Sequence, residues 1–191
     1  MKKKIISLIL LFLITIFSRG TMSEEKKELI YIELKNGRVV IETKPDLAPN
    51  HVERIKKLVS KGLYDGVVFH RVIEGFMAQT GDVKFGNSNK EDYNLSRAGT
   101  GGSDLPNLKA EFSKANHGRG AVSMARAQEP DTANSQFFIC FKDCSFLDGQ
   151  YSLWGQVVEG MEYIDQIKLG ESDSGSVKDP DKIIKMELAL K

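Results

Sequence analysis

Positions 29–34 and 38–43 are two largely apolar runs, with Asn36-Gly37 between them. Short runs rich in Ile, Val and Tyr beside turn residues mark strands, and Asn-Gly accepts the positive φ of a tight hairpin. The pattern changes after Pro49. Val52, Ile55, Leu58 and Val59 recur at helical spacing, with Glu53, Arg54, Lys56 and Lys57 opposite, and Gly62 stops the run. His51 falls on the early turn of this helix, which makes it a solvated or capping side chain. Strand patterns return at 67–72 and 76–80 around Glu74-Gly75, then at 108–112, 120–127, 135–141, 152–158 and 183–190. Residues 160–168 read as a second amphipathic helix anchored by Ile164 and Ile167.

The run at 135–141 places Gln136, Phe138 and Cys140 on one face and Phe137, Ile139 and Phe141 on the other. Apolar groups on both faces predict a strand buried on both sides. About eight strands and two helices, joined by short turns, predict a mainly β fold: a closed eight-stranded antiparallel barrel with a helix plugging each open end. The long polar stretch 83–104 includes Gly99-Thr100-Gly101-Gly102. It lacks the Lys-Ser/Thr and the following helix of a phosphate loop, so close backbone packing beside a groove is the better reading. Residues 170–181 are polar and expected to be mobile.

Composition changes this picture little. A hydrophobic share of 41% and a charged share of 28% in 191 residues describe one ordinary globular domain. A formal charge of +1 gives no electrostatic case for nucleic acid. His51, His70 and His117 show no ligand spacing, so no metal site is expected.

The first residues differ in kind. Lys2-Lys3-Lys4 precedes an apolar run from Ile5 to Phe17, the pattern of a secretory signal peptide. Cleavage after Gly20 or after Ser23 fits the small residues there. The expected division is a signal peptide over residues 1–23 and one domain over 24–191. Removing residues 1–23 takes away four basic and no acidic residues, which turns +1 into −3. The mature chain is expected to be exported, in a periplasm, and free of the membrane. An uncleaved leader would instead leave it membrane-anchored. Cys140 falls inside an apolar strand, where a buried thiol is expected. A disulfide to Cys144 would close a very small loop and require a sharp turn.

Candidate chemistry concentrates in residues 69–82, Phe-His-Arg-Val-Ile-Glu-Gly-Phe-Met-Ala-Gln-Thr-Gly-Asp. An arginine, an apolar platform and a neutral amide around one bend suit an uncharged, strongly hydrogen-bonding group such as a peptide carbonyl. The segment carries no nucleophile or acid–base pair, so the chemistry should need no proton transfer.

Four ordered blocks then carry a resemblance: residues 69–82, Gly99-Thr100-Gly101-Gly102, Met124-Ala125-Arg126-Ala127, and Ser135-Gln136-Phe137-Phe138-Ile139 leading to Phe146-Leu147-Asp148-Gly149. Over roughly residues 29–190 the chain resembles the cyclophilins, which are peptidyl-prolyl cis–trans isomerases. The resemblance implies a capped eight-stranded barrel and catalysis of X-Pro rotation without metal or cofactor. It also implies proline-containing, unfolded or partly folded polypeptides as partners, and a monomer. Arg71 corresponds to the catalytic arginine. Phe76, Met77, Phe138 and Leu147 correspond to the proline pocket, with Phe146 and Tyr151 beside it. Gln79 and Gln136 correspond to groove amides, and Gly99, Ala125 and Arg126 line the groove. Phe146, Tyr151 and Arg126 stand where the best-known eukaryotic members have tryptophan, histidine and asparagine. A peptide-binding module with little turnover is the competing reading.

Overall fold

The computed structural model describes residues 27–189. The predicted signal peptide and the last residue of the final predicted strand lie outside them. The chain folds as β1 (Leu29–Leu34), β2 (Gly37–Thr43), α1 (Pro49–Val59), β3 (Arg71–Ile73), β4 (Met77–Thr80), β5 (Ala121–Met124), β6 (Phe137–Cys140), β7 (Leu153–Glu159), α2 (Met161–Ile164) and β8 (Lys185–Leu188). All strands join one antiparallel sheet in the order β3-β4-β6-β5-β7-β2-β1-β8.

The closed barrel is corrected to an open, curled sheet. Its two end strands, β3 and β8, do not pair. Residues 175–183 cover that seam instead. Phe69 N–H donates to the Asp181 carbonyl at 2.8 Å, Val72 N–H to the Gly175 carbonyl at 2.7 Å, and Ile183 N–H to the Val67 carbonyl at 2.9 Å. Pro180 has no N–H to give, so this segment cannot continue a ladder. The predicted mobile stretch 170–181 is therefore partly tied down. Two predicted strands also shorten. Residues 67–68 make only isolated bridges, to Asn87 and Lys182, and of 108–112 only Leu108 bridges, to Ala133.

The core lies inside the curl. Ile30, Ile32, Ile41, Val72, Ala78, Val122, Phe137, Ile139 and Trp154 turn one face of the sheet inward. From α1, Val52, Ile55 and Leu58 join the same cluster, as their spacing requires. The predicted second helix is reduced to the four residues of α2, but Ile164 and Ile167 are both buried as expected. His51, expected to be solvated or capping, is fully buried instead. Its Nδ1 lies 2.6 Å from Glu111 Oε2, and Glu111 also accepts the backbone N–H of Asn50 and of His51, each at 3.2 Å. Ala48 has no capping side chain, so a carboxylate from 60 residues away caps α1.

Candidate active site

A second apolar cluster forms on the outer face of the same strands. Gly75, at φ +67°, turns the chain between β3 and β4. The resulting register opposes Arg71 to Gln79 and Ile73 to Met77, so these four side chains share one face. Strand β6 extends the face, setting Phe138 opposite Gln79 and Cys140 opposite Met77. All four residues of β6 are buried, with Phe137 and Ile139 inside and Phe138 and Cys140 outside. The expected strand buried on both sides is thus present.

Met77, Ala121, Phe138, Cys140, Cys144, Leu147 and Leu153 make up this outer cluster, with Phe76, Ala125 and Tyr151 among the residues packed against it. Two tilted or edge-on aromatic pairs shape its mouth: Phe76 with Phe146 at 5.4 Å, and Phe138 with Tyr151 at 5.6 Å between ring centroids. Phe146 is 62% exposed, so its ring stands as a free wall. Both thiols are free and buried. Burial pushes each thiol upward in pKa and keeps it in the inert neutral form.

Arg71 lies beside this pocket, half-buried. Its Nε donates to the Ser174 carbonyl at 2.9 Å and its Nη1 to Gln79 Oε1 at 3.1 Å. Among the described residues no acceptor takes Nη2. Gln79 Nε2 donates to Gln136 Oε1 at 3.0 Å, and Gln136 Nε2 donates to the carbonyls of Gly99 and Gly101 at 2.9 and 2.8 Å. Gln79, Gly99, Ala125, Arg126 and Gln136 line a polar cavity of about 490 Å³ that continues the groove past the pocket. Every residue expected at the site is therefore on one surface.

Arg126 is tied to its surroundings rather than free in the groove. Its N–H groups point to the carbonyls of Ala127, Gln128 and Gln150 at 2.9–3.3 Å. Its guanidinium lies 4.7 Å from the Tyr151 ring and 5.8 Å from that of Phe112. It binds one groove wall to the next.

Sequence reasoning missed the Ser174 carbonyl and a buried polar line. Ser123 Oγ is 2.8 Å from His117 Nε2, and His117 Nδ1 is 2.8 Å from Asp148 Oδ1. This is the hydrogen-bond order of a hydrolase triad. Ser123 and His117 are fully buried, however, so no substrate reaches the hydroxyl. The line instead ties β5 to the turn that carries Leu147. No spacing rule joins residues 117, 123 and 148, so no local pattern announces it. Burial also drives the His70 imidazole down to about 4, with the Asp82 charge opposing that shift. His70 is thus neutral at pH 7. Among the described residues, no three His, Cys, Asp or Glu side chains could hold a metal ion, and no helix is long and apolar enough to cross a membrane.

Comparison with known proteins gives the same direction. Residues 29–188 match the family described as "Cyclophilin type peptidyl-prolyl cis-trans isomerase/CLD". The chain is 58% identical over 162 residues to a Brucella abortus (strain 2308) protein named "Probable peptidyl-prolyl cis-trans isomerase", covering 84% of this chain and 82% of that one. It is 36% identical over 154 residues to the "Peptidyl-prolyl cis-trans isomerase" of Helicobacter pylori (strain ATCC 700392 / 26695), covering 78% and 86%. A crystal structure of the cyclophilin AquaCyp293 from Hirschia baltica superposes with a TM-score of 0.69 at 28% identity, covering 83% of this chain and 72% of that one.

Proposed function

The chain belongs to the cyclophilin-type peptidyl-prolyl cis–trans isomerases, and from that premise we propose that Arg71 drives X-Pro rotation in exported polypeptides whose proline ring sits against Met77 and Phe138. The peptide bond resists rotation by about 18–20 kcal/mol because the nitrogen lone pair is delocalised into the carbonyl. In the twisted state that lone pair is localised on a pyramidal prolyl nitrogen. A guanidinium donor near it favours the twisted state over both planar ones, and only such differential binding accelerates a step. Arginine holds its charge at every working pH. No proton is transferred.

One observation carries this reading. The guanidinium at the pocket's edge is held from two sides, by Gln79 and the Ser174 carbonyl, while Nη2 stays without a partner among the described residues. The apolar cluster has the separate task of gripping the ring while the preceding residue turns. The basic and apolar run at residues 2–17 supports the export part of the proposal. Cell fractionation should find a shortened mature chain outside the cytoplasm; a full-length cytoplasmic chain would refute export.

Exchange NMR on a short X-Pro peptide tests the mechanism. Residues 24–191 should accelerate exchange, and Arg71→Ala should abolish the acceleration while still binding peptide. Binding without acceleration in the unmutated protein would make it a peptide-binding module.

A further inference from the structure

One buried side chain fastens both ends of the loop at 83–101. Asp82 is fully buried. Its Oδ1 accepts the N–H groups of Lys84 and Phe85 at 3.0 and 2.9 Å, and its Oδ2 those of Gly99 and Gly101 at 2.8 and 2.9 Å. Four backbone donors replace the water that a carboxylate loses on burial. The glycines are needed for the approach. A Cβ on Gly101 would stand 2.5 Å from Asp82 Oδ1, and one on Gly99 would stand 2.9 Å from the His70 ring.

We propose that Asp82 is a positioning residue for Arg71, acting through Gly99 and Gly101, then Gln136, then Gln79. The proposal rests on the role given to Arg71 above. A guanidinium only donates, so Gln79 must turn Oε1 to Arg71 and Nε2 to Gln136. Gln136 must then turn Oε1 to Gln79 and Nε2 to the two glycine carbonyls. Each amide has one orientation that satisfies both neighbours. The carboxylate fixes the far end by holding the same two glycines through their N–H groups. With those glycines released, Gln136 loses both acceptors, both amides can rotate, and Arg71 keeps only the Ser174 carbonyl. The long loop therefore serves the reaction through the backbone of Gly99 and Gly101, which carries the hold of Asp82 to Gln136.

The test compares Asp82→Asn, Asp82→Ala, Gln136→Ala and Arg71→Ala by peptide exchange NMR, with the Arg71 Nε–H resonance recorded in the three variants that keep Arg71. Asparagine puts an NH2 where one oxygen accepted two N–H groups, so it releases one pair. In Asp82→Asn, kcat should fall about 10- to 100-fold, as expected for a reacting group displaced by ångström distances. KM should change by less than about threefold, because the pocket is untouched. The Arg71 resonance should move, and Trp154 fluorescence should report an intact core. Gln136→Ala should lose a similar factor, and the double variant should be little worse than either single one. An unchanged kcat in Asp82→Asn overturns the proposal. Should neither Asp82 variant fold, Gln136→Ala decides: it keeps all four carboxylate bonds, and an unchanged kcat or a loss confined to KM overturns the proposal. Turnover surviving in Arg71→Ala would instead remove the role of Arg71 itself, so the two failures are read apart.

Discussion

Replacing Arg71 by lysine separates charge from geometry. The ammonium keeps the positive charge but has one nitrogen where the guanidinium has three. Nε holds the Ser174 carbonyl at 2.9 Å and Nη1 holds Gln79 at 3.1 Å, which leaves Nη2 for the proposed contact to the twisted bond. One ammonium at the end of a flexible stem cannot satisfy two fixed acceptors and also face a third. The variant is expected to lose one oriented charge-assisted hydrogen bond to the transition state, worth about 1.5–3 kcal/mol. At about 1.4 kcal/mol per decade, kcat/KM should fall roughly 10- to 150-fold. Exchange NMR at several peptide concentrations gives both kcat and KM, and peptide affinity should hold because Met77, Phe138 and Leu147 are unchanged. Retention of kcat/KM within about twofold would refute the argument, since charge alone would then suffice.

Turnover should be flat between about pH 6 and 8, because Arg71 stays charged and His70 is neutral there; a titration of kcat/KM near pH 6.5 would contradict this. His70 makes stability pH-dependent instead. Its folded pKa of about 4 lies below its unfolded value, so the unfolded chain binds more protons between them. The stabilisation is complete above about pH 6.5 and is lost as pH falls toward 4, by up to about 3 kcal/mol, which urea melts at pH 7 and 4.5 would read and His70→Gln would remove. Met77→Ala removes a side chain 1% exposed and should cost about 2–5 kcal/mol in melts together with a raised KM; an unchanged KM would take Met77 out of the pocket. Cys140 and Cys144 should resist a thiol reagent in the folded protein and both react in urea, and rapid native labelling would contradict their burial.

The site was legible in the sequence where its residues share a strand pair. Alternation alone put Phe138 with Cys140 on one face, and the register confirms it. The reading failed where a partner is remote. His51 reads as exposed on its own helix, and only Glu111, 60 residues on, makes it a buried one. The closed barrel failed for a related reason. A succession of strand runs does not show whether the two end strands meet, and here the irregular segment 175–183, which contains Pro180, takes the place of that ladder. The Ser123–His117–Asp148 line has no periodicity to betray it. Asp82 stood within the recognised motif, but its four acceptances come from backbone N–H groups, which every residue except proline offers.

The two halves of the site are held by different means, and this divides what substitutions can do. Met77 and Phe138 lie on strands inside the sheet whose other face carries Ala78, Phe137 and Ile139 into the core. That wall cannot shift without disturbing packing on both sides, which suits the proposed task of holding a proline ring still. Arg71 belongs to β3, an end strand of three residues, and its guanidinium is fixed by the hydrogen bonds it donates to a side-chain amide and a loop carbonyl. Those contacts can be altered with the core intact. Changes behind the pocket should therefore lower stability and peptide affinity together, while changes along the Arg71–Gln79–Gln136 chain should lower turnover in a protein that still folds and binds. Separate loss of turnover is the stronger sign of a catalytic group, because a collapsing pocket reduces both quantities at once.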